Sequence, residues 1–426
     1  MITPWGDTEE LRRQRLRPGT QPKGRQATIT HQRRRLFAAT VAAVAERGYA
    51  EMTVADLVKG SGVARADFYR LFSSKQECFL AAVDELYEEG MRSVRLGYNS
   101  EEQWEDGIRA AFGRLLELLV SQPAAARMCM VDIYEAGVEG GERADRGAAG
   151  FERLLARSVA RSGARSGLPR AILGAIVGGI HLLIHDRLRR GVEAELPRTM
   201  SGLVEWALSY EAPPSPLRRP KRQVKTSRRS STEDPAERLL WAVAETVADK
   251  GYGAVSVNEL APRARTSLRT LYQSFGGKEE AFIACFRMVS DHTLTAAATA
   301  YGQASDWANA VGAANEAVLA YLASEPDFAR VAMVEVLAAG PAAVEARDEA
   351  IKPFAQLLQP GYELLPKVPS IAAEAMAFGV YSLIRRQILL YGPATLPRIG
   401  PTATFFDLAP FLGSERAAAI ANGRGR

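Results

Sequence analysis

The sequence is written twice. Displaced by 203 residues along itself, Gly48-Tyr49 meets Gly251-Tyr252, and Tyr69, Phe72, Lys75 and Phe79 meet Tyr272, Phe275, Lys278 and Phe282. The register runs on through Trp104 on Trp307, Pro123 on Pro326, Arg127 on Arg330, Met130 on Met333 and Phe151 on Phe354. A three-residue gap then resets the offset to 200, and Gly179, Leu183-Ile184 and Leu196-Pro197-Arg198 meet Gly379, Leu383-Ile384 and Leu396-Pro397-Arg398. A repeat of this length means that one whole architecture is built twice, over roughly 31–210 and 234–412. Each copy is long enough to bury a core of its own.

The stretches outside the copies have a different composition. Glu211-Ala212-Pro213-Pro214-Ser215-Pro216 leads into a basic run from Arg218 to Arg229, with too few apolar side chains to bury anything. Residues 211–233 therefore read as a linker, 1–30 as a disordered basic arm and 413–426 as a tail. Arginines also crowd the segment from Arg12 to Arg35. Such runs are either solvated or placed against a polyanion.

Other classes of protein are excluded early. The longest apolar run, Ala171 to Ile184, is 14 residues and holds a histidine; a membrane span needs about 20. Nothing at the start resembles a secretory leader. Three cysteines far apart in the chain, Cys78, Cys129 and Cys285, exclude a disulfide framework and suit a reducing cytoplasm as small buried hydrophobes. With four histidines in all, a histidine-rich metal enzyme is not expected. His181 and His185 lie one helical turn apart but lack a third ligand, and packing is the better reading. No Ser/His/Asp set, phosphate-binding loop or paired-carboxylate motif is recognisable. The expectation is no catalytic residue, no metal and no cofactor.

The pattern inside each copy is helical throughout. Leu36, Phe37, Val41 and Val44 recur at helical spacing. Asp234-Pro235-Ala236-Glu237 starts a helix, and Ser256-Val257-Asn258-Glu259 and Ser74-Lys75-Gln76-Glu77 read as capping boxes. The predicted fold is all-α. Within it, residues 53–75 read as a short helix, a tight turn at Ser61-Gly62 and a second short helix. Leu57, Val63 and Phe68 can meet beneath the turn. Arg65, Tyr69 and Arg70 then point outward, where guanidinium and phenol suit phosphate and base edges. Lys75 opens the next helix, where an ammonium and backbone amides can hold a phosphate together.

Both copies resemble the tetracycline-repressor (TetR/AcrR) family of bacterial regulators. The first matches through Gly48-Tyr49, Thr53-Val54, Leu57, Gly62-Val63, Phe68-Tyr69, Phe72 and Lys75. The second matches through Gly251-Tyr252, Ser256-Val257, Leu260-Ala261, Ser267, Thr270-Leu271-Tyr272, Phe275 and Lys278-Glu279. The resemblance implies, in each copy, a three-helix DNA-binding domain (31–79 and 234–282) and a larger helical ligand-binding and dimerisation domain (80–210 and 283–412). It implies a sequence-specific transcriptional regulator, most simply a ligand-responsive repressor acting in the cytoplasm at the nucleoid. The alternative is a DNA-binding protein whose helical domains serve only assembly.

DNA contacts are expected from Arg65, Tyr69, Arg70 and Lys75 and, in the second copy, from Ser267, Arg269, Thr270, Tyr272 and Lys278. The second motif departs from the family pattern: Arg265 stands where glycine is expected, Leu268 replaces a basic residue, and Pro262 lies just before the turn. Its segment also has net charge about −1 against about +3 in the first. The first head is therefore expected to bind DNA better, on an operator that is not a perfect palindrome. An effector pocket is expected among Trp104, Phe112, Met130, Tyr134 and Phe151 in the first copy and Trp307, Phe328, Met333 and Phe354 in the second. The partners are a double-stranded DNA operator, an unknown small-molecule effector, and either the other half of the chain or a second copy. For an intramolecular pseudo-dimer, helices near 171–190 and 200–210 would meet those near 372–391 and 400–412. A linker of about 20 residues reaches about 65 Å.

Overall fold

The computed structural model describes residues 1–13, 25–163, 165–218, 220, 224 and 234–423. Nearly all of them are helical. The chain divides into two compact units, Met1–Leu154 with Ile184–Met200, and Leu155–Leu183 with Ser201–Arg426. This division does not follow the repeat, because the closing helices of the first copy are largely clustered with the second.

In the first unit, helices Arg25–Glu51, Val54–Ser61 and Arg65–Leu71 form the head, followed by Lys75–Asn99, Trp104–Ser121, Pro123–Met130 and most of Gly137–Val159. Sequence signals set the starts. Thr53 and Asp56 form a reciprocal capping box, and the Ser74 hydroxyl accepts from the Glu77 amide. The Glu77 carboxylate turns instead to the Ser73 amide, at 2.6 Å. Leu36, Phe37, Met52, Leu57, Phe68 and Phe79 are buried at 1% exposure or less and make the head one core.

The N-terminus corrects the expectation of a disordered arm. Ile2–Thr3 pairs with Gly6–Asp7, and a helix follows at Thr8–Arg13. Trp5 and Leu11 are buried, the Trp5 ring lying 5.3 Å from Phe37. Two apolar side chains on a tight hairpin are enough to dock it, a signal that arginine counting hides. The three consecutive arginines are structural too. Arg33 stacks over Phe37 and Phe72, Arg34 donates to the Trp5 carbonyl, and buried Arg35 donates to the Ser61 carbonyl at 2.5 Å. The remainder of the expected arm, 14–24, and most of the linker's basic run lie outside the described residues.

In the second unit the head is Pro235–Lys250, Val257–Arg263 and Leu268–Ser274, continued by Lys278–Gly302, Trp307–Ser324, Pro326–Met333, Pro341–Gln356, Ala372–Tyr391 and Gly400–Ala421. The last helix runs through the expected tail, breaking at Gly413 and burying Ala417 and Ala418. The linker's first residues are tied to it: the Arg218 amide donates to Asn422 Oδ1 at 2.7 Å.

Here the two copies meet. Residues 170–183 cross helix Ala372–Tyr391 at small residues. A Cβ on Gly179 would strike the Ala375 carbonyl, and one on Gly379 would lie 2.9 Å from the Ala175 carbonyl. Only hydrogen fits there. Beside the crossing, Tyr210 donates to the Phe406 carbonyl at 2.9 Å and stacks on the Phe406 ring, with Trp206 edge-on. Helix Arg170–Arg189 is apolar and long enough to span a membrane, but 83% of its apolar window is buried within the protein.

Trp5→Ala should cost about 2 kcal/mol of stability, less than a fully enclosed tryptophan because the hairpin can lift away. Urea denaturation followed by far-UV circular dichroism measures this; a loss below about 0.5 kcal/mol would show that the hairpin adds nothing to the head.

Candidate nucleic-acid interface and effector cavity

The turn between the short helices decides how each second helix is presented. Gly62 closes the first turn with φ 64°, in the left-handed region. At the matching place in the second copy stands Arg265, with φ 52° and the only positive φ among the non-glycine residues described. The expected damage to this turn is thus borne as backbone strain, not as a different shape. An analogous tie locks both heads. Arg238 donates to the Ala264 carbonyl at 3.0 Å, as Arg35 does to Ser61.

Arg65, Tyr69 and Arg70 are exposed, as the motif requires, and so are Ser267, Arg269 and Tyr272. Arg65 lies over the Tyr69 ring. Arg70 is ion-paired to Asp67, which also accepts from Gln32. An exposed pair of this kind is weak, so Arg70 can exchange it for phosphate. Ser267 caps its helix by accepting from the Thr270 amide at 3.0 Å, and the two hydroxyls are 2.9 Å apart. Both hydroxyls thus stabilise the helix start as well as lying at its outer end.

The two lysines have a different setting from the expected one. Lys75 Nζ donates to the carbonyls of Tyr49, Ala50 and Met52 at 3.1, 2.8 and 2.8 Å. An ammonium has three donors, and all three are used. Lys278 donates to the Tyr252 carbonyl and lies over that ring at 4.3 Å. Both lysines reach the end of the head's first helix or the residues just past it, where cations are favoured by the exposed carbonyls. A phosphate held by Lys75 would have to displace these bonds.

The expected pocket residues scatter. Trp104, Phe112 and Met130 are half-buried and Tyr134 is buried edge-on to His185. None of the four lines the open cleft of about 800 Å³ between Asp84–Asn99 and Arg143–Arg153, whose wall is largely charged. In the second copy Trp307 bonds to the Leu357 carbonyl and meets Phe411. Phe328 packs on Trp241 of the head, ring centres 4.4 Å apart. Met333 and Phe354 do line a partly open cavity of about 90 Å³, with Phe286, Val318, Ile351 and Tyr381.

The lining also brings in polar residues that the expectation did not name, among them Asn315, Arg347 and Asp407. Asn315 donates to Asp407 Oδ2 at 2.8 Å, while Asp407 Oδ1 has no hydrogen-bond partner. Burial pushes this carboxyl up to about 7, against the pull of the Asn315 bond. Arg347 is wholly buried, paired with Asp348 at 2.6 Å and set over the Tyr381 ring. A lone Asp in Thr404-Phe405-Phe406-Asp407-Leu408 is the sequence signal that points here. In the first copy the corresponding residues are Phe112, Ala144 and Ala207.

With this geometry in place, comparison with known proteins gives the family. The profile of the bacterial regulatory proteins, tetR family, matches twice, at 36–94 and 239–285. The chain belongs to the TetR family of DNA-binding transcription regulators and carries the family's N-terminal domain in tandem. No curated protein sequence matches it. Among solved structures it is similar to the fatty acid degradation regulator FadR from Bacillus halodurans, at 17% identity and TM-score 0.38, over 42% of this chain and 97% of that one. It is also similar to FadR from Bacillus subtilis in complex with stearoyl-CoA, at 16% identity and TM-score 0.37, over 42% and 98%. A third is PfmR from Thermus thermophilus, at 23% identity and TM-score 0.34, over 41% and 98%.

Left-handed backbone costs a side-chain-bearing residue about 1–2 kcal/mol, part of which glycine returns as unfolded-state entropy. Arg265→Gly should therefore stabilise the second head by about 0.5 kcal/mol, and Gly62→Arg should destabilise the first by about 1 kcal/mol. Two shifts of one sign in thermal melts would contradict this.

Asp407 titrates ordinarily near 3.8 when unfolded and near 7 when folded. It favours the fold below the lower value, and that contribution is lost as pH rises through the upper one. The stability advantage of Asp407→Asn over the natural protein should grow from about pH 5 to about pH 7.5 and then level. A constant difference in urea midpoints would show that the carboxyl titrates normally.

Proposed function

We propose that the protein is a ligand-responsive repressor in which one chain supplies both heads of a pseudo-dimer. The observation that carries this reading is the crossing of residues 170–183 with Ala372–Tyr391, closed by Gly179, Gly379 and the Tyr210–Phe406 stack. These are the helices through which two separate subunits would join, and here one chain contributes both sides. The second-copy cavity, with its polar groups, supports an effector over a purely assembling role for the helical domains.

The heads are unequal. Arg65, Ala66, Asp67 and Arg70 of one reading helix correspond to Leu268, Arg269, Thr270 and Gln273 of the other. Identical half-sites suit identical readers, so the operator is asymmetric. Arg65, Tyr69 and Arg70 make the first head the stronger binder, while Ser267, Arg269, Thr270 and Tyr272 give the second a more polar, less charged surface.

Light scattering should give a particle near the 46.3 kDa chain mass. On an operator recovered by selection from random DNA, Tyr69→Ala should weaken binding by about tenfold, near 1.4 kcal/mol, and Tyr272→Ala by less. A particle of twice the chain mass would overturn the intramolecular pairing, and equal losses at both tyrosines would overturn the unequal heads.

A further inference from the structure

The second-copy cavity has an apolar wall and, on Asp407, a buried carboxylate oxygen without a hydrogen-bond donor. Phe286, Val318, Met333, Ile351 and Phe354 leave the occupant nowhere to place a second polar group on their side. Ser290 and Thr293 already donate to the carbonyls of Phe286 and Val289. Tyr381 donates to the Ala332 carbonyl at 3.2 Å, and Arg347 is committed to Asp348. Among the side-chain acceptors of this lining, Asp407 Oδ1 is the one left without a donor. A buried acceptor without a donor costs about 1–3 kcal/mol, and that cost is recovered only by a molecule that brings a donor.

We propose that the effector is a small, mainly apolar molecule whose single polar group donates a hydrogen bond to Asp407, a short-chain primary amine matching best. This rests on the reading of the cavity as the effector site. The size follows from the volume: about 90 Å³ here, whereas an apolar cavity of about 150 Å³ holds a benzene ring. The preference for an amine follows from charge. An ammonium forms a charge-assisted bond to a carboxylate that is roughly twice as strong as a neutral one. A carboxylate ligand would meet Asp407 as a like charge. The first copy, with Ala207 at the matching place and Phe112 in place of Asn315, has no such acceptor at that place, so the proposed site belongs to the second copy. Asp407 also adjoins Phe406, the residue stacked on Tyr210, and a ligand that pulls on Asp407 acts directly on the contact between the two copies.

The test uses four probes of equal length, n-butylamine, n-butanol, butanoate and n-butane, on the full-length protein at about pH 8. At that pH Asp407 is ionised, and an alkylamine is protonated much as lysine is. Calorimetry should rank the amine first by at least about threefold over the alcohol, with butanoate weakest. Asp407→Leu should erase that ranking while xenon, followed by NMR, still enters the cavity. Equal or tighter binding of butanoate, or an unchanged ranking in Asp407→Leu, overturns the ligand class. Exclusion of xenon and of every probe from the natural protein overturns the cavity itself, and the ligand class with it. Binding of the amine with the expected ranking but without release of operator DNA sustains the ligand class and sinks the regulatory reading.

Discussion

Two helices approach each other here more closely than any side chain allows, and the architecture hangs on that approach. Gly179 and Gly379 occupy matching places in the repeat and face the backbone of the opposite copy across the same crossing. With a methyl group at either position the helices would separate, and Trp206, Tyr210 and Phe406 would lose the close packing that keeps them dry. Matched small residues and a shared aromatic stack close this junction between segments of the two copies.

Duplication also relieves each copy of doing everything. A dimer of identical subunits must place every residue in both halves. Here Asn315, Arg347 and Asp407 sit in one copy and Phe112, Ala144 and Ala207 in the other. The same freedom lets the head with Gly62 keep an unstrained turn while its counterpart tolerates Arg265 in a left-handed conformation. Strain of that kind persists when surrounding contacts over-determine the backbone, and Arg238 bonded to the Ala264 carbonyl is one such contact.

The repeat register, the helix starts and the outward Arg65, Tyr69 and Arg70 are legible in the sequence because they follow from local rules: spacing, capping and turn chemistry. The crossing helices are expected from the family resemblance, which assigns them to dimerisation. Less visible are the features made by long-range contacts. Trp5 reads as part of a polar arm because its partner, Phe37, lies 32 positions away. Lys75 reads as available to phosphate because nothing local shows that three carbonyls around the end of the head's first helix converge on it. Aromatic residues draw attention as a pocket lining, yet the distinguishing atoms of the cavity belong to an isolated Asp and Asn whose pairing spans 92 positions. Trp307 and Phe328 are instead mortar between helices.

The placement of Asn315, Arg347 and Asp407 in one copy bears on dose response. A symmetric dimer with two coupled sites can sharpen its response, because the first ligand changes the affinity for the second. On the proposed reading, one site serves two heads and there is no second ligand to recruit. Occupancy would then rise hyperbolically with effector concentration, and both heads would respond to a single binding event. Such a device would report effector level in gradations instead of tripping at a threshold.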